Sequence, residues 1–371
     1  MLGIVWSSNA RSHAYDMLCH VFVTDWYDNM KPTDCIYVVP GIMGSSLARP
    51  GHGEPLVWSL NYEHLVDTLA NNPDSLGPGE LLEPVEVIRH VTVKNFIKVS
   101  SIYEDLLNFL RQCYKETRIV PFPYDWRKTN EASAQRLVRR ILQDRRDQKR
   151  ISIVSHSMGG LVTLLAVRML KENPATRDVF EKIYRIVNIG TPHIGSLQSF
   201  RTLKEGRPRI FAPLDYWFAM IRLFHPFAAA NLVDLLPTFN SLFELLPPQR
   251  LEILTRAGKT LSAIDPALWA LASEDTLRQA VRVHKLIEDA PTERLATIYS
   301  SDLDTESGFH LDAKYGIASP QWEKGDETVT MRSAESVVER NRRRPVAARV
   351  VHKDLPNHRK VHDELRFLLR N

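Results

Sequence analysis

Short apolar runs recur along the chain, most of them followed by an amphipathic stretch. Residues 36–39 form such a run and stop at Pro40-Gly41, the pattern of a buried strand feeding a glycine turn. From Tyr103 the segment YEDLLNFLRQCY puts Leu106, Leu107, Leu110 and Tyr114 on one helical face, and residues 118–122 return as a strand. A second amphipathic helix is expected over about 132–147, leading into a strand at 151–154. MGGLVTLLAVRML, directly after Ser157, reads as a helix, and 183–189 as the next strand. Further strands are expected at 295–299 and 346–351, with a closing helix over about 357–369. Short apolar strands alternating with helices predict the α/β class, with a mostly parallel central sheet covered on both faces.

Two stretches break this alternation. Residues 47–98 are rich in proline and glycine and carry no long repeat, so they read as a lid segment above the core. Residues 197–292 are rich in Leu, Phe, Trp and Pro and read as a helical cap insertion. The expected organisation is therefore an N-terminal extension (1–34), a first core part (35–196), the cap (197–292) and a second core part (293–371). One core with insertions suits a chain of 371 residues.

Composition adds few constraints. The chain is 44% hydrophobic and 25% charged, as ordinary globular proteins are. Its formal charge is +4, and its basic residues gather over 136–150 and at Arg340, Arg342, Arg343 and Arg344. These read as a solvated helix face and a loop, so no nucleic-acid partner is expected, while transient contact with a membrane surface stays open. Cys19, Cys35 and Cys113 are scattered and odd in number, which spells out neither a disulfide framework nor a zinc site. Reduced thiols, no basic leader followed by an apolar stretch of signal length, no N-x-S/T sequon and no window of about 18 apolar residues point to a cytoplasmic protein. With no H-E-x-x-H or C-x-x-C cluster, neither metal nor cofactor is expected.

ISIVSHSMGG carries the most chemistry: an apolar strand, a Ser-His-Ser-Met-Gly turn and a helix, the form of a nucleophile elbow centred on Ser157. A serine hydroxyl is a weak nucleophile, so it must project from a sharp turn where a base can reach it and backbone N–H groups can meet an oxyanion. Ser155 stands where G-x-S-x-G has its first glycine, and Ser157 as a mere helix cap is the competing reading. YVVPGIMGSS at 37–46 supplies a second glycine turn, making the amides of Ile42 (with Met43 the alternate) and Met158 the candidate oxyanion donors. The acid and base of such a site follow the serine in chain order. Asp326 in KGDETVTMRS is the candidate acid, although a carboxylate in such a turn can also be simply solvated. His352, His358 and His362 compete for the base, and His358, which opens the last helix, is the expected one.

Taken together, these segments resemble the lecithin:cholesterol acyltransferase and lysosomal phospholipase family of α/β-hydrolases, in its bacterial-type form. The resemblance runs from about residue 36 and rests on VVPGIMGS with Trp58 beyond it, FPYDWR at 122–127, SHSMGG at 155–160, IGTPHIGS at 189–196, LPTFNSLFELLP at 236–247, GDETV at 325–329 and LPNH at 355–358. It implies Ser157, Asp326 and His358 as the catalytic triad and Ile42 and Met158 as the oxyanion hole. Asp125 and Trp126, with Met43, Trp58 and His193, would line the substrate pocket, although packing or the ordering of a turn explains these residues equally well. The implied activity is hydrolysis of lipid-like carboxylic esters through an acyl-enzyme, with acyl transfer to an alcohol or lipid acceptor, or silent binding on the same fold, as alternatives. No cysteine falls between 47 and 98, so a disulfide-closed lid like that of the family's animal enzymes is not expected.

Overall fold

A computed structural model of the chain describes residues 33–370, apart from 52, 54, 95–96, 146–147, 207–222, 249–253, 257, 271 and 347. Most of the expected N-terminal extension, Cys19 and the stretches 207–222 and 249–253 of the expected cap lie outside the described residues. The centre of the fold is a parallel six-stranded sheet: β1 (Thr33–Val39), β2 (Arg118–Pro121), β3 (Gln148–His156), β4 (Ile183–Ile189), β5 (Leu295–Ser300) and β6 (Arg343–Val346). Its spatial order is β6-β5-β4-β3-β1-β2, every pair parallel. The direction of winding reverses between β1 and β3, the place where open α/β sheets leave a crevice at their carboxyl ends.

Both faces of the sheet are buried, and alternate residues of one strand serve opposite faces. Cys35, Tyr37 and Val39 of β1 join one apolar cluster with helices Asn130–Gln143 and Met158–Glu172, while Ile36 and Val38 join another with helices Glu104–Cys113 and Arg359–Leu368. Helix Met158–Glu172 is apolar nearly all round because it is covered nearly all round.

The last strand departs from expectation. Residues 346–351 are the more apolar run, but β6 is Arg343–Val346, pairing Thr297 with Arg343 and Ser300 with Val346. β6 lies at the edge of the sheet, where polar side chains and a proline are tolerated. Residues 303–325 fold as an unexpected antiparallel hairpin, Leu303–Leu311 with Ile317–Gly325, extended by Leu254–Arg256 and Lys259–Leu261 into a second sheet. Residues 47–98, expected as an excursion above the core, contain helix Tyr62–Asn71 and strands Leu56–Trp58, Glu83–Val87, His90–Val93 and Ile97–Ser101. In the stretch expected as a cap, helices Leu197–Glu205, Pro226–Leu235, Asn240–Glu244 and Glu274–Glu288 are described. Among the described residues, no helix is long and apolar enough to cross a membrane.

Candidate active site

β3 ends at His156, and Ser157 makes the turn into helix Met158–Glu172 with φ +53° and ψ −129°. This left-handed backbone costs a non-glycine residue on the order of 1–3 kcal/mol and persists only when the surroundings impose it. They do so by contact. A methyl group on Gly159 would lie 2.3 Å from the Pro40 carbonyl oxygen, and one on Gly41 would lie 3.0 Å from Ser157 Cβ. The glycine turn after β1 is thus pressed against the elbow after β3 with no room for side chains between them. Ser155 Oγ lies 2.7 Å from Thr163 Oγ1, so the residue in place of the first glycine of G-x-S-x-G turns its hydroxyl onto the helix.

The Ser157 hydroxyl lies 2.9 Å from His352 Nε2, and His352 Nδ1 lies 2.7 Å from Asp326 Oδ2. All three residues are buried. Asp326 is held as a carboxylate acceptor: its Oδ1 receives the N–H groups of Thr328 (3.0 Å) and Val329 (2.6 Å), leaving Oδ2 to receive the imidazole N–H. The histidine backbone is tied to the same residue, the His352 N–H donating to the Asp326 carbonyl at 2.9 Å. Gly190, at the end of β4, has φ +56°, and a Cβ there would stand 3.1 Å from His352 Nδ1 and 3.2 Å from Asp326 Oδ2. A side chain at 190 would crowd both partners.

The histidine facing Ser157 is therefore His352, not His358. Because β6 stops at Val346, the chain runs five residues further before His352 opens a short 3-10 turn, His352–Asn357, over the sheet end. His358 lies past that turn and caps the last helix, its Nδ1 accepting the Lys360 N–H at 3.3 Å. His362 donates to or accepts at no catalytic group; its Nε2–H donates to the Pro356 carbonyl (2.8 Å) and its ring stacks on Phe109.

The turn after β1 is braced on several sides. Tyr124 Oη donates to the Pro40 carbonyl (3.0 Å), Trp58 Nε1 to the Met43 carbonyl (3.2 Å) and Trp126 Nε1 to the Ser45 carbonyl (3.1 Å), while the Gly41 N–H donates to Tyr103 Oη (2.7 Å). Among the described residues, the amides of Ile42 and Met158 donate to no protein acceptor, which leaves them free for an oxyanion next to Ser157. Met158 also begins a helix, whose N-terminus favours negative charge.

The residues expected to line a substrate pocket act instead as supports. Trp58 and Trp126 are fully buried and meet edge to face at 4.9 Å, each indole N–H satisfied on the turn just described. Met43 is buried with φ +57°. Asp125 receives Arg127 Nε at 2.9 Å and Nη2 at 2.8 Å, and the same guanidinium donates to the carbonyls of Leu76, Gly77 and Glu80. This pair fastens the 47–98 segment to the core without a disulfide. His193 receives Asn188 Nδ2–H at Nε2 (2.9 Å) and donates Nδ1–H to the Ala334 carbonyl (3.0 Å), and burial pushes its pKa down to about 4. It orders the turn after β4 and keeps helix Met331–Glu335 beside the Asp326 loop.

Chemically, this arrangement lets the Ser157 proton pass to His352 Nε2 as the hydroxyl attacks, while Asp326 fixes the ring tautomer and stabilises the imidazolium. The fold and its site define a protein of the α/β-hydrolase class. Residues 83–243 match the family model described as lecithin:cholesterol acyltransferase, the family whose motifs the sequence resembles. Among solved structures, a chain of the Tle4-Tli4 complex is 13% identical with a TM-score of 0.53, covering 91% of this chain and 98% of that one. Bacillus licheniformis lipase BlEst2 in its mature form is 10% identical (TM-score 0.41; 92% and 93% covered), and EstA from Clostridium botulinum 13% identical (TM-score 0.42; 92% and 87% covered). No curated protein sequence matches the chain. The family match on this fold makes the chain an ester hydrolase or an acyltransferase.

Proposed function

We propose that the protein cleaves lipid-like carboxylic esters through an acyl-enzyme on Ser157, with His352 as general base and acid, Asp326 as its orienting carboxylate and the amides of Ile42 and Met158 as oxyanion donors. The observation that carries this reading is the unbroken hydrogen-bonded line from Ser157 Oγ through both ring nitrogens of His352 to Asp326. His352 takes the hydroxyl proton as Ser157 attacks the carbonyl carbon, the oxyanion forms against the two amides, and the protonated ring returns the proton to the departing alcohol. Water, activated by the same histidine, then releases the acid. Replacing water by an alcohol gives acyl transfer from the same intermediate, the second reading that the family match supports.

Residues 47–98 serve as lid and 197–292 as cap in this reading. An apolar substrate, and transient contact with a lipid surface, are supported by Leu223, Phe224 and Phe227 around the start of helix Pro226–Leu235, of which Phe227 is 81% exposed. Among the described residues, Cys35 and Cys113 are in no disulfide, which supports a reducing, cytoplasmic setting.

Hydrolysis of a p-nitrophenyl series from acetate to palmitate by wild type and Ser157→Ala tests the proposal. Wild-type turnover that rises toward longer chains and vanishes in the variant is expected. Folded wild-type protein that hydrolyses no member of the series would refute it, and product analysis with an added long-chain alcohol separates hydrolysis from transfer.

A further inference from the structure

Two buried side chains next to the site have no part in the proton transfer just described. Tyr103 is buried, and its hydroxyl has two partners: the Gly41 N–H at 2.7 Å and His156 Nδ1 at 2.8 Å. His156, the residue before Ser157, has its other ring nitrogen, Nε2, 3.2 Å from the His352 carbonyl oxygen.

The chemistry of these partners fixes the direction of every bond. An amide can only donate, so Tyr103 Oη accepts from Gly41, and the His352 carbonyl can only accept, so a neutral His156 ring places its proton on Nε2. Nδ1 is then an acceptor, the ring proton sits on Nε2, and Nε2–H donates to the His352 carbonyl. Burial, together with the neighbouring His352 ring at 4.8 Å between centroids, holds the His156 pKa well below its ordinary value, in keeping with a neutral ring of this single tautomer. The relay runs Gly41 N–H to Tyr103, Tyr103 O–H to His156, and His156 Nε2–H to His352, linking the oxyanion turn, the elbow and the backbone of the base.

Resting on the reading of Ser157, His352 and Asp326 given above, we infer that Tyr103 and His156 are positioning residues: their relay sets the His352 imidazole and the Ile42 amide against Ser157. Neither touches a reacting atom. Both Ser157–His352 geometry and the placement of the oxyanion turn depend on one tautomer of His156, which the Tyr103 hydroxyl and the His352 carbonyl select together. Without that hydroxyl, His156 Nδ1 loses its donor and the Gly41 N–H loses its acceptor, so the elbow and the oxyanion turn each lose a fixed point.

The test compares Tyr103→Phe, His156→Gln and His156→Leu with wild type, using p-nitrophenyl butyrate kinetics, the rate of labelling by a fluorophosphonate and thermal melting. Tyr103→Phe removes one oxygen atom from a packed ring. It is expected to lower kcat by about 10- to 100-fold with KM changed less than about twofold, and to slow labelling of Ser157 in proportion, because misplacement by a fraction of an ångström acts on the chemical step. Glutamine keeps an acceptor and a donor, so His156→Gln should recover most of the kcat lost in His156→Leu at equal melting temperature. Folded Tyr103→Phe with wild-type kcat, or a loss carried by KM alone, would overturn the inference. If Tyr103→Phe does not fold, His156→Gln no more active than His156→Leu would overturn it as well. Inactive, unlabelled wild type would instead refute the triad reading on which the relay rests.

Discussion

Asp326 and Asp125 are both buried carboxylates on loops beyond the carboxyl end of the central sheet, and each is paired with a basic side chain within 2.9 Å. Around Asp125 the pairing is closed: Arg127 spends two N–H groups on the carboxylate and the rest on the carbonyls of Leu76, Gly77 and Glu80. Around Asp326 it is open, because its partner is an imidazole whose second nitrogen faces the Ser157 hydroxyl. Arginine stays charged and has no acceptor, whereas histidine can take a proton at one end while donating at the other. A buried acid–base pair therefore builds structure or performs chemistry according to whether the basic group can titrate and what lies beyond it.

That contrast can be broken at either end. The largest effect is expected from His352→Ala, which removes the proton acceptor: kcat on short-chain p-nitrophenyl esters should fall on the order of 10⁴-fold or more, while His358→Ala stays within about twofold of wild type. Asp326→Asn comes next. The asparagine amide would donate where the His352 N–H now donates, turning the ring so that Nε2 carries the proton and cannot take another, with an expected loss of about 10³- to 10⁴-fold in kcat at unchanged melting temperature. Arg127→Met should act on stability rather than chemistry. Leaving Asp125 buried with only Lys128 Nζ at 3.4 Å is expected to cost about 3 kcal/mol in urea unfolding, and protein that remains folded should still be labelled at Ser157.

The smallest effect is that of pH. Burial pushes the pKa values of His193 and His284 down to about 4, against about 6.5 for a free side chain, so folding favours their neutral forms. Their contribution to stability is complete above about pH 6.5 and is lost as pH falls through that range toward 4, as the unfolded chain takes up protons that the folded one refuses. Melting curves should drop by at least about 5 °C between pH 7 and pH 4.5, and the drop should shrink in a folded His193→Gln variant.

How much of this was legible in the chain follows from where each residue sits. β1, β3, β4 and β5 are buried on both faces, so their apolar runs announced them. β6 is an edge strand made of Arg343, Arg344, Pro345 and Val346, and nothing apolar marks it. Placing the strand at 346–351 instead pushed the expected base six residues along the chain, from His352 to His358. Ser157 and Asp326 were legible because turn chemistry is local: one needs a strand, a tight turn and a helix, and the other needs a loop with free backbone amides. Trp58, Trp126 and Asp125 misled for a different reason. Their motifs mark the neighbourhood of the site, but whether a side chain faces a substrate or braces the turn behind it depends on partners far away in sequence. Tyr103 and His156, 53 residues apart, meet only in the folded chain.

The central claim is that Ser157 is activated by His352. It is tested most directly by mass spectrometry of protein treated with a fluorophosphonate, comparing wild type, His352→Ala and His358→Ala under identical exposure. An adduct on Ser157 is expected in wild type and in His358→Ala, with its rate of formation reduced to background in His352→Ala. Labelling of Ser157 that survives in His352→Ala and disappears in His358→Ala would contradict the claim.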